Sequence, residues 1–330
     1  MRSRMTLFAA VTKARLAMFM AVVLALAAVS AAASRLARSA PASVPPPAHA
    51  SLVPELASYL GTFEPGSPPD YGAVARFGQM AGRPPNLLGY YTGWAAPFNT
   101  SFAQTLRKHG VIPFVQIDPT GASISAIARG TYDDYLRSYA GSVSNFRRAV
   151  VIGFGHEMNA SWYPWGYQHV PAATFVAAWR HIVTLFRKQG ADNVTWLWTL
   201  EADQPGTGPI ASWWPGAQYV TWVGIDGYYY HPADTFASVF GTTITQLRAF
   251  TSKPVLLSET AVGPDAGQFA KIQDLFHGMA TYKTLGLVWF DRSQSGSVFR
   301  QDWRIDDSLQ AQISFRLGVR QEIAPYRPAS

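Results

Sequence analysis

Two glutamates stand where a pair of carboxyl groups could perform acid–base chemistry. Glu157 follows the apolar run Ala149–His156, and Glu259 closes the apolar run Pro254–Glu259. Cleaving a glycosidic bond needs one protonated carboxyl group, to help the leaving oxygen depart, and one ionised group, to attack the sugar or activate water. Because a strand-end glutamate can instead cap a helix or pair with an arginine, the pairing depends on where the two strands lie.

Aromatic residues follow the first glutamate closely. Trp162, Tyr163 and Trp165 lie within eight residues of Glu157, in a chain whose aromatic content is 14%. Flat rings can stack on sugars, and they can raise the pKa of a carboxyl group by burying it. They can equally well pack in a core, and composition leaves both interpretations open.

Other chemistries lack their characteristic motifs. The chain has no cysteine, and its seven histidines form no HExxH motif and no close cluster. Ser258 lies outside any GxSxG turn, and GxGxxG is absent. We therefore predict neither a metal nor a cofactor.

Short apolar runs alternate with longer periodic runs from residue 51 onward, which is typical of strands and helices in turn. The predicted strands are Tyr59–Glu64, Asn86–Gly93, Val111–Asp118, Ala149–His156, Asn193–Leu200, Tyr219–Asp226, Pro254–Glu259 and Gly286–Asp291. The predicted helices are Tyr71–Ala81, Thr100–His109, Tyr132–Phe146, Ala172–Gln189, Thr235–Phe250, Gln268–Lys283 and Leu309–Ile323. Gly82, Gly110 and Gly190 are expected to end helices.

This alternation predicts an α/β fold, a (β/α)8 TIM barrel that occupies residues 51–330 as one domain. A doubly wound open sheet is the alternative, but it normally carries a glycine-rich phosphate turn after its first strand. Functional residues of a barrel lie at the carboxyl ends of its strands. Those ends hold Asp118, Asp226 and Tyr228 besides the two glutamates, whereas Glu201 and Asp203 are interpreted as stabilising a loop.

The string GHEMNASWYPWG at Gly155–Gly166 closely resembles the acid/base motif of glycoside hydrolase family 26, the β-mannanase family of retaining barrel glycosidases. Three further segments resemble that family in order and spacing: Asn193–Trp198, Trp214–Tyr228 and Pro254–Glu259. The resemblance extends over about residues 55–325, and its first string is the specific one.

The resemblance implies roles for individual residues. Glu157 matches the acid/base, Glu259 the nucleophile and Tyr228 the tyrosine that hydrogen-bonds the nucleophile. His156 matches a histidine that shapes the sugar site. Substrate-binding roles follow for Trp165, beside the acid/base, and for Trp289, the sugar platform on the eighth strand; Trp162 is a weaker candidate that could instead pack under the loop.

Three positions depart from the family pattern. Gly153 stands where the family often has arginine, and Ala160 where it usually has glycine. Gln116 and Asp118 occupy the region where the mannanases carry a histidine. Asp118 could contact a sugar hydroxyl or be a structural strand-end acid, and mannan specificity does not follow from the resemblance.

The first 50 residues indicate export. Basic residues precede the uncharged run Leu16–Ala33, which resembles a signal peptide and is nearly long enough to be a membrane anchor. Residues 34–50 are rich in Ala, Pro and Ser and predict a linker. Both interpretations place residues 51–330 outside the cytoplasm.

Charge argues against a nucleic-acid partner. The formal net charge is +7, but six of the 27 Lys and Arg lie in residues 1–50, which contain no acidic residue. The remaining 21 basic residues face 20 acidic ones without a basic cluster. We expect a monomer whose partner is a polysaccharide, with a possible membrane tether through residues 16–33.

These observations favour a retaining endo-β-glycanase acting on β-mannan, β-glucan or β-xylan by double displacement. Two alternatives remain: a carbohydrate-binding protein that has lost turnover, suggested by Gly153 and Ala160, and a membrane-tethered hydrolase that trims the cell's own exopolysaccharide.

Overall fold

A computed structural model describes residue 52 and residues 55–294, 296 and 301–326. The predicted leader and linker therefore lie outside the described residues, and both stay predictions. Within the described part of the chain, no helix combines the length and apolar character needed to cross a membrane.

Eight parallel strands close into a barrel in chain order, with β1 paired to β8. The strands are β1 (Tyr59–Phe63), β2 (Leu87–Gly93), β3 (Ile112–Asp118), β4 (Val150–Phe154), β5 (Val194–Glu201), β6 (Trp222–Tyr229), β7 (Val255–Val262) and β8 (Gly286–Phe290). The predicted (β/α)8 barrel is confirmed.

Helices follow the strands and cover the barrel. They are α1 (Gly72–Ala81), α2 (Thr100–Lys108), α3 (Ile124–Ala128), α4 (Asp133–Phe146), α5 (Ala172–Lys188), α6 (Thr242–Arg248), α7 (Gln268–Thr281) and α8 (Leu309–Glu322). In α5 the buried side chains recur every three or four residues, which places one apolar face on the sheet. Gly82, Gly110 and Gly190 adopt the left-handed backbone expected after a helix.

Two strands extend further than predicted: β6 continues to Tyr229 and β7 to Val262, so Glu259 lies within its strand and not at its end. The structure also differs from the sequence prediction in three other segments. α3 was not predicted, because five residues are too few to show a helical period. The predicted helix Thr235–Phe250 begins with a π-helical turn, Ala237–Gly241, before α6. A two-stranded hairpin, β9 (Ser293–Gln294) with β10 (Gln301–Asp302), lies in the loop after β8.

Alternation along each strand divides the side chains between the barrel interior and the helices. Apolar residues from the strands fill one end of the interior, among them Tyr59, Phe114, Leu197, Trp222 and Val288. Inward residues nearer the carboxyl ends are polar. The barrel interior is therefore apolar at one end and polar at the end where the strands finish.

Gly153 lies inward on β4, opposite Gln116 of β3 in the sheet register. A Cβ atom at residue 153 would lie 1.7 Å from Oε1 of Gln116. The Gln116 side chain is 2% exposed, and its amide nitrogen donates a hydrogen bond to Thr199 at 3.0 Å. The glycine at the position where the family often has arginine is thus explained by packing.

Substitution Gly153→Ala is expected to lower the free energy of unfolding by about 1–3 kcal/mol, because Gln116 must leave its place in a packed interior. Urea denaturation measures the effect. Gly141→Ala is the matched control: it lies inside α4, and apart from the local helix backbone no atom lies within 4 Å of its added Cβ, so it should stabilise the protein by roughly 0.5–1 kcal/mol. The double variant Gln116→Ala/Gly153→Ala should lose less than the sum of its single variants; strict additivity would contradict a clash.

Candidate active site

Glu157 lies in the sharp turn that follows β4. The turn begins at Gly155 with a φ of +56°, and Glu157 itself has a φ of +52°. A left-handed backbone costs a non-glycine residue about 1–2 kcal/mol, so the surrounding contacts must hold it. The backbone N–H of Glu157 donates to the carbonyl of Thr199 on β5 at 3.0 Å, and its side chain is 5% exposed.

The loop after Glu157 is fastened to the end of β5. The side-chain amide of Asn159 donates to the carbonyl of Glu201 at 2.8 Å and accepts from the N–H of Glu201 at 2.9 Å. Ala160 is fully buried and forms a β-bridge with Thr207. These contacts fix the strained turn, and the methyl group of Ala160 fills the loop core. The carboxyl group of Glu201 accepts a hydrogen bond from Gln204, in accord with its predicted loop-stabilising role.

Glu259 lies on β7, where the register shifts against both neighbouring strands. Its side chain remains partly accessible. Oε1 accepts a hydrogen bond from the hydroxyl of Tyr228, as the resemblance implies, and Oε2 accepts one from Tyr91. Both carboxylate oxygens are therefore held by phenols from opposite sides of the barrel.

The charge of Glu157 affects the pKa of Glu259. Burial raises the pKa of Glu259, and the charge of Glu157 raises it further, while hydrogen bonds from Tyr228 and Tyr91 and the charge of His156 lower it. The net direction is upward. The structure therefore brings the carboxyl group in the turn after β4 and the one on β7 within electrostatic reach of each other.

Trp162 contacts the first carboxyl group directly. Its indole nitrogen donates to Oε2 of Glu157 at 2.6 Å, and its ring is nearly buried. Trp162 therefore packs in the core of the loop and also contacts the proposed acid/base, while a contact with substrate stays a prediction.

His156 is the centre of a buried network. Its Nδ1 lies 2.7 Å from Oδ1 of Asp118, and its Nε2 lies 3.1 Å from the hydroxyl of Tyr163. Burial lowers the pKa of His156, but attraction and hydrogen bonding to Asp118, with the charges of Glu157 and Glu259, raise it to about 9. The imidazole is therefore cationic at neutral pH, beside both glutamates.

Two predicted substrate contacts lie too deep to touch a sugar. Asp118 is 0% exposed and accepts from His156, so of the two roles considered for it the structural one holds. Trp165 is 1% exposed, stacks on Tyr163 with ring centroids 4.5 Å apart, and donates to the carbonyl of His156 at 2.9 Å. Both side chains are buried and contact His156 in this structure.

Trp289 also requires a correction. Val288 lies inward on β8, so alternation turns Trp289 outward toward the helices. Its ring is 0% exposed, packs 5.0 Å from Phe315 of α8, and donates its N–H to the carbonyl of Trp303. No face of Trp289 is open to a sugar, and the platform role does not hold.

Two residues near the site were not predicted. Tyr91 lies on a predicted strand, and its inward direction could have been read from alternation with Leu87 and Gly89. Trp303, whose ring lies 4.8 Å from that of Tyr228, comes after the β9–β10 hairpin, and no local pattern marks it. Its position depends on the path of the whole loop.

The model of Glycosyl hydrolase family 26 matches residues 134–304, slightly more than half of the chain. The chain belongs to glycosyl hydrolase family 26. The matched range of family 26 includes Glu157, Tyr228 and Glu259, whereas Tyr91 and Asp118 lie before it.

Relatives with established names agree with this assignment. The chain is 27% identical over 271 residues to Endoglucanase H of Acetivibrio thermocellus, covering 77% of this chain and 29% of that protein. It is 26% identical over 113 residues to Beta-1,3-xylanase TXYA of a Vibrio species, covering 34% of this chain and 23% of the xylanase. The chain thus spans less than a third of either relative.

Solved structures agree in fold. The YdhT protein from Bacillus subtilis has a TM-score of 0.60 at 18% identity, with 81% of this chain and 86% of that chain covered. Bacillus subtilis mannanase BCman has a TM-score of 0.58 at 18% identity, with the same coverage. At this identity the likeness shows the barrel alone.

Substitution Asp118→Asn is expected to change the pH dependence of the stability that His156 contributes. The folded pKa of about 9 exceeds the unfolded value of roughly 6.5. The folded state therefore binds more protons than the unfolded state between these pH values. The His156–Asp118 pair contributes roughly 1–3 kcal/mol to the free energy of unfolding; this contribution is complete below pH 6.5 and is lost as pH rises through 9. Loss of the aspartate charge should flatten this fall.

Denaturation at a series of pH values between 6 and 10 measures the effect. The matched control is Asp133→Asn, which removes the aspartate partner of His181, at 2.6 Å in a far more exposed pair. The control should leave the fall between pH 6.5 and 9 in place. An equally steep fall in Asp118→Asn would contradict a charged His156.

Proposed function

We propose that the protein is a retaining β-glycoside hydrolase, with Glu157 as acid/base and Glu259 as nucleophile. The observation that carries this proposal is the proximity of the two carboxyl groups, which is close enough for the charge of Glu157 to raise the pKa of Glu259. Each group is oriented by its own hydrogen-bond donors. A retaining mechanism requires a separation of ~5–5.5 Å between the two groups. Opposing strand ends of a closed barrel can provide it.

The reaction proceeds in two displacements. Glu259 attacks the anomeric carbon while Glu157 transfers its proton to the leaving oxygen, which leaves a glycosyl ester on Glu259. Glu157 then removes a proton from water, and the water oxygen attacks the same carbon and releases Glu259. Configuration is retained because two inversions follow each other.

Surrounding residues prepare the two groups for these roles. Tyr228 and Tyr91 stabilise the ionised form of Glu259, and the His156 cation does so through space. Asp226 accepts a hydrogen bond from Ser258 at 2.6 Å, while burial and then the charge of Glu259 hold its pKa well above the usual range. Burial therefore favours the neutral form of Asp226.

The proposed substrate is a neutral β-linked polysaccharide cut within the chain. The relatives' names specify an endoglucanase, a β-1,3-xylanase and a mannan endo-1,4-β-mannosidase. Glucan, xylan and mannan are therefore the polysaccharides to compare. The alternative of a binding protein without turnover was suggested by Gly153 and Ala160. Packing accounts for both residues, so neither one supports a loss of activity.

We also propose that the enzyme acts outside the cytoplasm. The support is the basic start and the apolar run Leu16–Ala33 in the sequence. Cleavage would release the enzyme, and retention of the run would tether it to the membrane.

Substitution Glu259→Ala should lower kcat by about 10⁴-fold or more, with the fold intact by circular dichroism. On a β-aryl glycoside with a good leaving group, added azide should restore turnover and give the α-glycosyl azide. Glu157→Ala should instead give the β-glycosyl azide, because azide then attacks the intermediate from the other face. These products are distinguished by NMR.

Glu201→Ala is the matched control, a buried glutamate at the neighbouring end of β5. Azide should not rescue any loss that it shows. Release of reducing ends from glucan, xylan and mannan then identifies the substrate. Polysaccharide binding without release, or full activity in Glu259→Ala, would refute the proposed function.

Export is tested by the first residue of the mature protein. N-terminal sequencing of protein from the medium should find a start after residue 33 or 50. Leu24→Arg places a charge in the apolar run and should retain the protein in the cell. A full-length soluble protein in the cytoplasm of the wild type would contradict export, and a full-length protein in the membrane would indicate a tether.

A further inference from the structure

Tyr91 makes a contact that the family resemblance does not account for. The resemblance assigns one tyrosine to the nucleophile, and Tyr228 on Oε1 fulfils that role. Tyr91 donates to the other oxygen, Oε2, from the opposite side of the barrel. It lies on β2, before the range that the family model matches.

The ring of Tyr91 is held in place by its neighbours. Its centroid lies 5.5 Å from that of Phe63 and 5.0 Å from that of His156. With Gln116 and Glu259 it lines a small cavity. Burial and the charge of Glu259 raise the pKa of Tyr91 well above 10, so its hydroxyl keeps its proton and acts as a permanent donor.

We propose that Tyr91 is a positioning residue for the nucleophile, and that its hydrogen bond promotes release of the sugar from Glu259. The proposal rests on the proposed function, because it concerns the second of the two displacements. It separates Tyr91 from a merely structural tyrosine, whose loss would slow both steps without changing their balance.

The physical reason is the change of charge on Glu259. In the first step one of its oxygens forms a bond to the anomeric carbon, the bond to the leaving oxygen breaks, and Glu157 gives that oxygen a proton. The resulting ester is neutral and is a weaker acceptor than a carboxylate. In the second step a water oxygen bonds to the anomeric carbon, its proton passes to Glu157, and the electron pair of the ester bond returns to Glu259. A donor on the carboxylate therefore favours the second step and opposes the first.

The groups that face Glu259 define the effect of pH. They are Glu157 and His156 from the end of β4, Asp226 and Tyr228 from β6, and Tyr91 from β2. Burial and repulsion from Glu157 raise the pKa of Glu259, whereas Tyr91, Tyr228 and His156 lower it. Loss of Tyr91 removes one of the three groups that lower it. The pKa of Glu259 should then rise.

The test is Tyr91→Phe, which keeps the ring and removes the donor. With a β-aryl glycoside that has a good leaving group, the glycosyl-enzyme should accumulate, so a burst of phenol precedes a steady state slowed by about tenfold or more. KM should fall together with kcat. The acid limb of the kcat/KM profile should move to higher pH.

Tyr90→Phe is the matched control on the same strand. The Tyr90 hydroxyl is buried without a hydrogen-bond partner among the described residues, and its ring packs against Phe102 at 5.9 Å, on the helix side of the sheet. This variant should show no burst and an unmoved acid limb. A folded Tyr91→Phe enzyme that behaves in the same way would overturn the proposal.

An NMR titration separates this inference from the proposed function. Glutamate carboxyl carbons labelled with ¹³C, with the Glu259 signal assigned through Glu259→Gln, report the pKa of Glu259 without any substrate. A higher pKa in Tyr91→Phe supports the inference, and an unchanged pKa overturns it. A wild-type protein that hydrolyses nothing would instead refute the proposed function.

Discussion

A carboxylate with only partial access to water at the mouth of a closed barrel is the constraint on which the site depends. An ion removed from water is costly unless hydrogen bonds or an opposite charge replace its solvent. Around Glu259 these are two phenols and an imidazolium, contributed by Tyr91, Tyr228 and His156. Since the donors come from β2, from β6 and from the turn after β4, closure of the barrel is what stabilises this partly buried charge.

The buried imidazolium of His156 must also be compensated by an opposite charge or by hydrogen bonds. His156 is buried, and its charge is balanced by Asp118 at 2.7 Å, which in turn is fully buried. Tyr163 and Trp165 complete the packing around the ring and its backbone. The network explains why buried residues surround the site: Asp118 and Trp165 hold His156 in place, and His156 stabilises the charge on Glu259.

The interior of the barrel provides the space for this network through glycine. A Cβ at Gly224 would meet Ser258 at 2.5 Å, as one at Gly153 would meet Gln116. Where one strand contributes a side chain to this layer, its neighbour contributes none, which matches the layered filling of barrels of this type. Gly153 departs from the family pattern because the Gln116 side chain of β3 fills the space beside β4. This packing does not change the two glutamates at the mouth.

The sequence by itself determined the order of the eight strands, because each is a short apolar run that ends in polar residues, and it placed Glu157 and Glu259 at two of those ends. Helix ends such as Gly190 were also legible, since a left-handed backbone favours glycine. Which face each side chain occupies was decided by tertiary structure. Trp289 turned outward because the alternation along β8 is set by the register of the closed sheet. Tyr91 reached Glu259 because closure brings the side chains of β2 and β7 together across the barrel. A local pattern records residue types and spacing, but only the closed barrel determines which distant side chains meet.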